Sequence, residues 1–267
     1  MARTDDRGEA TPAEAILKSA LAGVSPQRLL LVSDYDGTLA DIVPDPAQAW
    51  PRPESLSALH RLARYVGRVI ILSGRANRDL GRFLPVPLLV LRGDYGLADP
   101  STAERKALSR LERDLRPELP DGCWLERKPG SLTIHHRAVP DFGEPLPNLV
   151  ERVADPALLR WRGGRLVVEV MPRRAEKHRA LREEIETFRP QAVIFAGDDT
   201  GDQGCFELVS RAELPHVAVG VRSPEAAPDL FTTCDVVVDG PAGWGRLLTR
   251  LALWVSGPGP ADRAVEG

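Results

Sequence analysis

Four groupings of residues in this sequence could carry chemistry. The first is Asp34 and Asp36, with Gly37 and Thr38 behind them, directly after the apolar run Leu29-Leu30-Leu31-Val32. Two aspartates two apart can offer one carboxylate and one backbone carbonyl to the same hard cation. Mg²⁺ takes oxygen ligands in an octahedron and keeps some of its waters. Gly37 permits the sharp turn this needs. The second grouping is Ser73-Gly74-Arg75, after Val69-Ile70-Ile71-Leu72. A hydroxyl and free backbone N–H groups there suit phosphate oxygens. The third is Lys177, in AEKHRALREEI at a predicted helix start. The fourth is Gly197-Asp198-Asp199, with Asp202 one turn on, after Val193-Ile194-Phe195-Ala196. Carboxylates gathered at the mouth of an apolar strand repel one another unless a cation is present, which argues for a metal site.

Each grouping alone has an ordinary reading: an acidic turn that caps a helix, a Ser-Gly turn, a solvated lysine. DxD also occurs in metal-dependent sugar transferases, and GDD in nucleic-acid polymerases. Small size and slight acidity weigh against the polymerase reading.

The elements that must position these residues alternate. RLLLVSDYDG, RVIILSGR, LLVLRGDYG, QAVIFAGDDT, HVAVGV and DVVVDG read as short strands, several of them continuously apolar. ESLSALHRLARYV and the stretch around CFELVSRA read as helices. Apolar strands alternating with helices indicate an α/β protein: a Rossmann-like parallel sheet covered on both faces. Ligands bind beyond the carboxyl ends of such strands, where the acidic loops fall. The middle differs. CWLERK, SLTIHHR and RLVVEVMP look like strands with more polar alternation, with a helical stretch LPNLVERVADPALL before the third. Residues ~99–171 are therefore expected to form an inserted α+β unit in a core of residues ~11–98 and ~172–255. The polar residues 1–10 and the Gly/Pro-rich residues 256–267 are expected to be flexible.

The 267 residues suffice to bury a core without staples. A net charge of -3 gives no electrostatic reason to expect nucleic acid. The three cysteines, Cys123, Cys205 and Cys234, show no disulfide framework or zinc spacing, which suits a reducing compartment. The N-terminus lacks the order of a signal peptide, and no apolar run could span a bilayer. The expectation is a cytoplasmic protein without membrane or nucleic-acid partners, and a monomer.

The string DYDGTLADI resembles the first signature of the haloacid-dehalogenase (HAD) superfamily of phosphohydrolases, and the other three groupings match its later motifs in order. The resemblance implies a Mg²⁺-dependent phosphatase with a HAD core. Asp34 would attack phosphorus, and Asp36 would act as general acid and then base. Ser73 and Lys177 would hold the phosphoryl group, and Asp34, Asp36 and Asp198 would hold the metal. Asp199 and Asp202 would stand behind those ligands.

DYDGTLADIVPDP, KPGSLTIHHR and RLVVEVMP, over residues 27 to 250, look like trehalose-6-phosphate phosphatases. That resemblance makes the insertion a substrate-selecting cap. It places Lys128, Ser131, His135 and Glu169 on the disaccharide, with Arg75 also on the substrate. On a strand, Ser131, Thr133 and His135 would share one face. There are departures. Gly201-Asp202-Gln203 stands where the family has Thr-Asp-Glu, His178 replaces a glycine, and Gly93-Asp94-Tyr95-Gly96 replaces a GxHG-like turn. They spare the catalytic positions. They keep two alternatives in view: a phosphatase for a trehalose-like pseudodisaccharide phosphate such as validoxylamine A 7'-phosphate, and a non-catalytic sugar-phosphate sensor.

Overall fold

The computed structural model describes residues 11–257, apart from 98, 165, 224, 225 and 227. The stretch expected to be flexible at the N-terminus, and the expected tail from 258 onward, lie outside the described residues. The chain runs α1 (Pro12–Ala20), β1 (Leu29–Ser33), α2 (Pro53–Tyr65), β2 (Arg68–Leu72), α3 (Asn77–Phe83) and β3 (Val90–Arg92). It continues through α4 (Thr102–Leu115), β4 (Trp124–Arg127), β5 (Leu132–His135), α5 (Leu146–Val153), β6 (Leu159–Gly164) and β7 (Val167–Pro172). It ends with α6 (Lys177–Phe188), β8 (Ala192–Gly197), α7 (Gln203–Ser210), β9 (His216–Arg222), β10 (Val236–Asp239) and α8 (Gly240–Ser256).

Apolar runs without a polar face make strands when both faces are covered. All of β1 and β8 is buried. They lie side by side at the middle of a parallel sheet ordered β10-β9-β8-β1-β2-β3. On one face α1, α2 and α8 pack Leu17, Leu59, Leu62, Trp244 and Leu248 against Leu29 and Leu31. On the other, α6 and α7 pack Leu181 and Phe206 against Leu30, Val32 and Phe195. The chain leaves β1 towards β2 on one side and enters β8 on the other. The strand order therefore reverses there, and a crevice opens beyond their carboxyl ends. Trp244 Nε1 donates to Ser33 Oγ (3.1 Å), and Ser33 Oγ donates to the Asp34 carbonyl (2.8 Å). The α8 helix thus fixes the backbone where β1 ends.

The second sheet is antiparallel, ordered β4-β5-β7-β6, and forms the expected cap. Leu132, Ile134, Val168 and Val170 point to α4 and α5, where Leu108, Leu111, Leu146 and Val150 close a separate core. The side chains between them, Thr133, His135 and Glu169, point the other way, as the strand period of two requires. Two elements of the cap differ from the sequence reading. β6 begins inside the stretch read as the end of a helix, because Asp155-Pro156 ends α5 early. α4 had no counterpart in that reading, although Ser101 and Glu104 form a capping box at its start.

The passage from β3 to the cap is constrained. Asp94, Tyr95 and Gly96 have φ of 50°, 58° and 80°. Left-handed backbone costs about 1–2 kcal/mol at each non-glycine residue. It is held by Asp94 N–H on the Arg75 carbonyl and Tyr95 N–H on the Ser73 carbonyl, both 2.8 Å.

The return passage is tied at Glu104. Its carboxylate accepts from Arg174 Nε (2.8 Å) and Nη2 (3.0 Å), linking α4 to the loop before α6. The Arg174 hydrogen bond holds the Glu104 carboxyl down at about 2, below its usual 4.5. A depressed carboxylate stabilises the fold above its unfolded value, and that stability is lost as pH falls towards its folded value. Discounted for water at half-exposed Arg174, the contribution is on the order of 1 kcal/mol. Glu104→Gln should lower the urea midpoint at pH 7. The difference from the parent should shrink between pH 4.5 and 2; a gap that persists at the acid end contradicts this role for the pair.

Candidate active site

Lys177 is the first residue of α6, and its ammonium is buried in the crevice between β1 and β8. Nζ lies 2.7 Å from Asp34 Oδ1 and 2.8 Å from Asp202 Oδ1. Asp34 follows β1, and its N–H donates to the Ala196 carbonyl of β8 (2.8 Å). Asp198 follows β8 and accepts from Thr38 Oγ1 (3.1 Å). Gly37 must be glycine twice over. Its φ is +74°, and a Cβ there would lie 1.9 Å from Asp198 Oδ2. The first, third and fourth groupings of the sequence therefore meet at one point.

Four carboxylates, of Asp34, Asp198, Asp199 and Asp202, share this space with the cations of Lys177 and Arg162. Burial pushes Asp34 well above the usual carboxylate range, Lys177 opposes that, and the neighbouring aspartates add to it. Burial, then Asp202 and Asp199, push Asp198 up to about 7. Burial also works against charge on Lys177, but Asp202 and Asp34 outweigh it and hold its pKa high. With all four carboxylates ionised, the cluster would carry more negative charge than its two cations balance.

One oxygen each from Asp34, Asp198 and Asp202 can lie within 4.8 Å of one another. Asp202 is already engaged: Oδ1 takes Lys177, and Oδ2 accepts from the backbone N–H groups of Asp198 (3.1 Å) and Asp199 (3.3 Å). Its task is to hold the loop and the lysine. An oxygen-only set with surplus negative charge fits a hard divalent cation, with Asp34 and Asp198 as its carboxylates.

Asp36 and Arg75 face each other across the same cavity. Arg75 Nε lies 2.7 Å from Asp36 Oδ2, and Nη2 lies 2.6 Å from Oδ1, a bidentate pair. Arg75 Nη1 also donates to the Pro46 carbonyl (2.8 Å), and the guanidinium stands 5.2 Å from the Tyr35 and Phe83 ring centroids. Ser73 Oγ accepts from Arg75 N–H (3.1 Å).

The cavity has a volume of about 530 Å³, and its far wall is the cap sheet. Strand register places Glu126, Thr133, Glu169 and Arg162 in one row across the four strands. Glu169 is the hub. It accepts from Ser131 Oγ (2.8 Å) and Tyr95 Oη (2.6 Å) and pairs with Lys128 Nζ (3.3 Å). Burial acts to protonate Glu169, but Lys128 and these hydrogen bonds outweigh it and keep the carboxyl below its usual range. His135 Nε2 lies 2.9 Å from Glu126 Oε2, and the His135 ring stacks on Trp124 at 3.6 Å. Thr133 Oγ1 has no hydrogen-bond partner among the described residues. Of the four residues that sequence reasoning placed on the substrate, Lys128, His135 and Glu169 line this cavity, whereas Ser131 is buried behind Glu169 and does not. That reasoning missed Glu126, Tyr95 and Arg162, which also line the cavity. Glu126 could have been found by strand alternation two residues before Lys128.

Two departures have partners. A Cβ on Gly204 would lie 2.9 Å from His178 Nδ1, so the glycine at the second position of α7 makes room for the histidine. Gln203 Nε2 donates to Glu207 (3.2 Å) on the exposed side of α7. Neither His178 nor Gln203 lines the cavity.

The family model described as Trehalose-phosphatase matches residues 32–229. A trehalose-phosphate phosphatase of Mycobacterium tuberculosis strain H37Rv is 29% identical over 272 residues, covering 94% of this chain and 68% of the relative. The C-terminal domain of a Candida albicans trehalose-6-phosphate phosphatase superposes with a TM-score of 0.69 at 22% identity, over 91% of this chain and 97% of that one. An Aspergillus fumigatus trehalose-6-phosphate phosphatase gives 0.66 at 24% identity, over 91% and 98%. The chain has the HAD core-and-cap fold, is a phosphatase, and belongs to the trehalose-phosphatase family.

Proposed function

We propose that the protein hydrolyses trehalose 6-phosphate to trehalose and phosphate through an aspartyl-phosphate on Asp34, as a cytoplasmic enzyme with residues 99–171 selecting the substrate. The observation that carries this reading is the seat of Lys177. A buried ammonium contacts the Asp34 carboxylate at the bottom of a cavity whose opposite wall is a row of sugar-compatible polar groups. A phosphate at Asp34 and a disaccharide against Glu169 and its neighbours would fill that cavity together. The relatives' names point to the same substrate.

In this mechanism an Asp34 oxygen bonds to phosphorus as the bond from phosphorus to the sugar oxygen breaks. Asp36 gives its proton to that oxygen. The Asp36 carboxylate then takes a proton from water, whose oxygen attacks phosphorus and releases phosphate from Asp34. Lys177 and Ser73 hold the phosphoryl oxygens. Arg75 holds both oxygens of Asp36. The incoming phosphate competes for that guanidinium, and Arg75 turning towards it frees Asp36 to act as an acid. A Mg²⁺ held by Asp34, Asp198 and the Asp36 carbonyl would supply charge that screens the phosphate from the carboxylates.

Four outcomes test this reading. Asp34→Asn should lower turnover on the order of a thousandfold or more. Its melting temperature should not fall, since the change removes one charge from an over-acidic cluster; a variant that keeps its turnover contradicts the nucleophile assignment. A proton and a cation compete for Asp198, which burial and its neighbours place near 7. Magnesium affinity by calorimetry should therefore rise with pH through about 7. An affinity flat from about pH 6 to about pH 8 would contradict Asp198 as a ligand. In a phosphate-release panel of trehalose 6-phosphate, a pseudodisaccharide phosphate, glucose 6-phosphate and p-nitrophenyl phosphate, the first should be preferred. Glu169→Ala should erode that preference by on the order of a hundredfold. Preference for the pseudodisaccharide would reassign the substrate, and no release from any member would leave the sensor reading.

A further inference from the structure

The row across the cap sheet ends at Arg162 on β6, and this side chain leaves the cap. Its guanidinium stands 5.0 Å from the Tyr95 ring centroid, and Nη2 lies 3.3 Å from Asp199 Oδ2. Asp199 opens the short turn Thr200–Asp202, whose Asp202 carries Lys177. Asp199 Oδ1 meanwhile accepts from Gly201 N–H at 2.7 Å. One cap residue therefore rests on the loop that sets the lysine of the phosphate end, while its strand neighbour Glu169 faces the sugar end.

Gly201 departs from the threonine expected at its position. Its φ is not among the positive values, so the local backbone does not ask for glycine. The reason is a close approach. A Cβ at Gly201 would lie 2.8 Å from Arg162 Nη1 and 2.8 Å from Asp199 Oδ1, in the seat of the ion pair. Both partners are partly open, with side chains 32% and 42% exposed. A pair this wet adds little to global stability, and can break and re-form.

We infer that Arg162 is a positioning residue, which registers the cap's sugar-binding row over the phosphate end through Asp199, and that Gly201 is the gap that admits it. The inference rests on the disaccharide-phosphate reading above and adds a cap-to-core contact to it. Arg162 does not act on the reacting atoms. It sets the distance between two subsites that one substrate must span. A disaccharide phosphate that fills both depends on the contact; a small aryl phosphate that fills only the phosphate end does not.

The test compares wild type, Gly201→Thr, Arg162→Ala, Arg162→Lys and the Gly201→Thr/Arg162→Ala double variant. Each is assayed on trehalose 6-phosphate and p-nitrophenyl phosphate with Mg²⁺. Gly201→Thr and Arg162→Ala should each raise KM for the disaccharide phosphate by roughly tenfold, with kcat changed far less. The ratio of kcat/KM between the two substrates should fall with it. Arg162→Lys should recover part of the loss. The double variant should be no worse than either single one, because both remove the same contact. Effects that multiply in the double variant, or that fall equally on both substrates, overturn the inference. If wild type shows no preference for trehalose 6-phosphate, the substrate reading fails instead. The contact is then judged by small-angle scattering of the substrate-free proteins: a larger radius of gyration in Arg162→Ala than in wild type supports it, and equal radii overturn it.

Discussion

The constraint on which this structure depends is the gathering of four carboxylates where two buried strands end. Asp34, Asp198 and Asp202 are buried there almost completely, and Asp199 stands beside them. Burying a charge is costly unless it is paired. The parallel sheet cannot solve this alone, because the apolar strands that bring β1 and β8 together are what strip water from their ends. The α6 helix solves part of it by starting at Lys177, whose ammonium reaches two of the four carboxylates. Asp202 turns one oxygen to that lysine and the other to backbone N–H groups, so it fixes the loop that carries Asp198. What remains is an excess of negative charge that suits a divalent cation and a phosphate together. Folding and chemistry thus draw on the same unfavourable charge.

The cap answers a different requirement. Its core is separate from that of the parallel sheet, so it can present a polar face without disturbing the acidic cluster. Because side chains alternate along a strand, Leu132, Ile134, Val168 and Val170 build that core, while Thr133, His135 and Glu169 build the cavity wall. The two units touch at several polar points. Tyr95 is one, held left-handed at the passage out of β3, with its hydroxyl on Glu169 and its ring packed where a side chain at Gly74 would lie. Burial, then Glu169, push the Tyr95 phenol above its usual range, so it stays a donor.

The parallel core was legible in the sequence because its signals are local. A continuous apolar run followed by Asp, Ser or Gly marks both a buried strand and the loop at its end, and Asp34, Ser73 and Asp198 are where that pattern put them. Lys177 was legible only as a helix start with a resemblance behind it; its contact with Asp34 spans most of the chain. The cap was read less well. β6, with sequence LRWRGG, carries no clean alternation, and it follows a helix broken by Asp155-Pro156. With that strand missed, Arg162 could not be placed beside Glu169. Tyr95 was hidden for another reason: nothing in its composition announces a left-handed turn at a bulky residue. The pairing of Arg75 with Asp36 was also out of reach, since a guanidinium beside a phosphate-binding turn reads as a substrate ligand.

The central claim is that phosphate passes through the Asp34 carboxylate. The most direct measurement is rapid acid quench during turnover of trehalose 6-phosphate, followed by borohydride reduction and mass spectrometry of the peptide that holds residues 34 and 36. An acyl-phosphate is reduced to an alcohol where a free carboxylate is not. Homoserine at position 34, dependent on substrate and absent at Asp36, is the result expected. Turnover without any reducible species, or with the modification at Asp36 or Asp198 instead, would contradict the account.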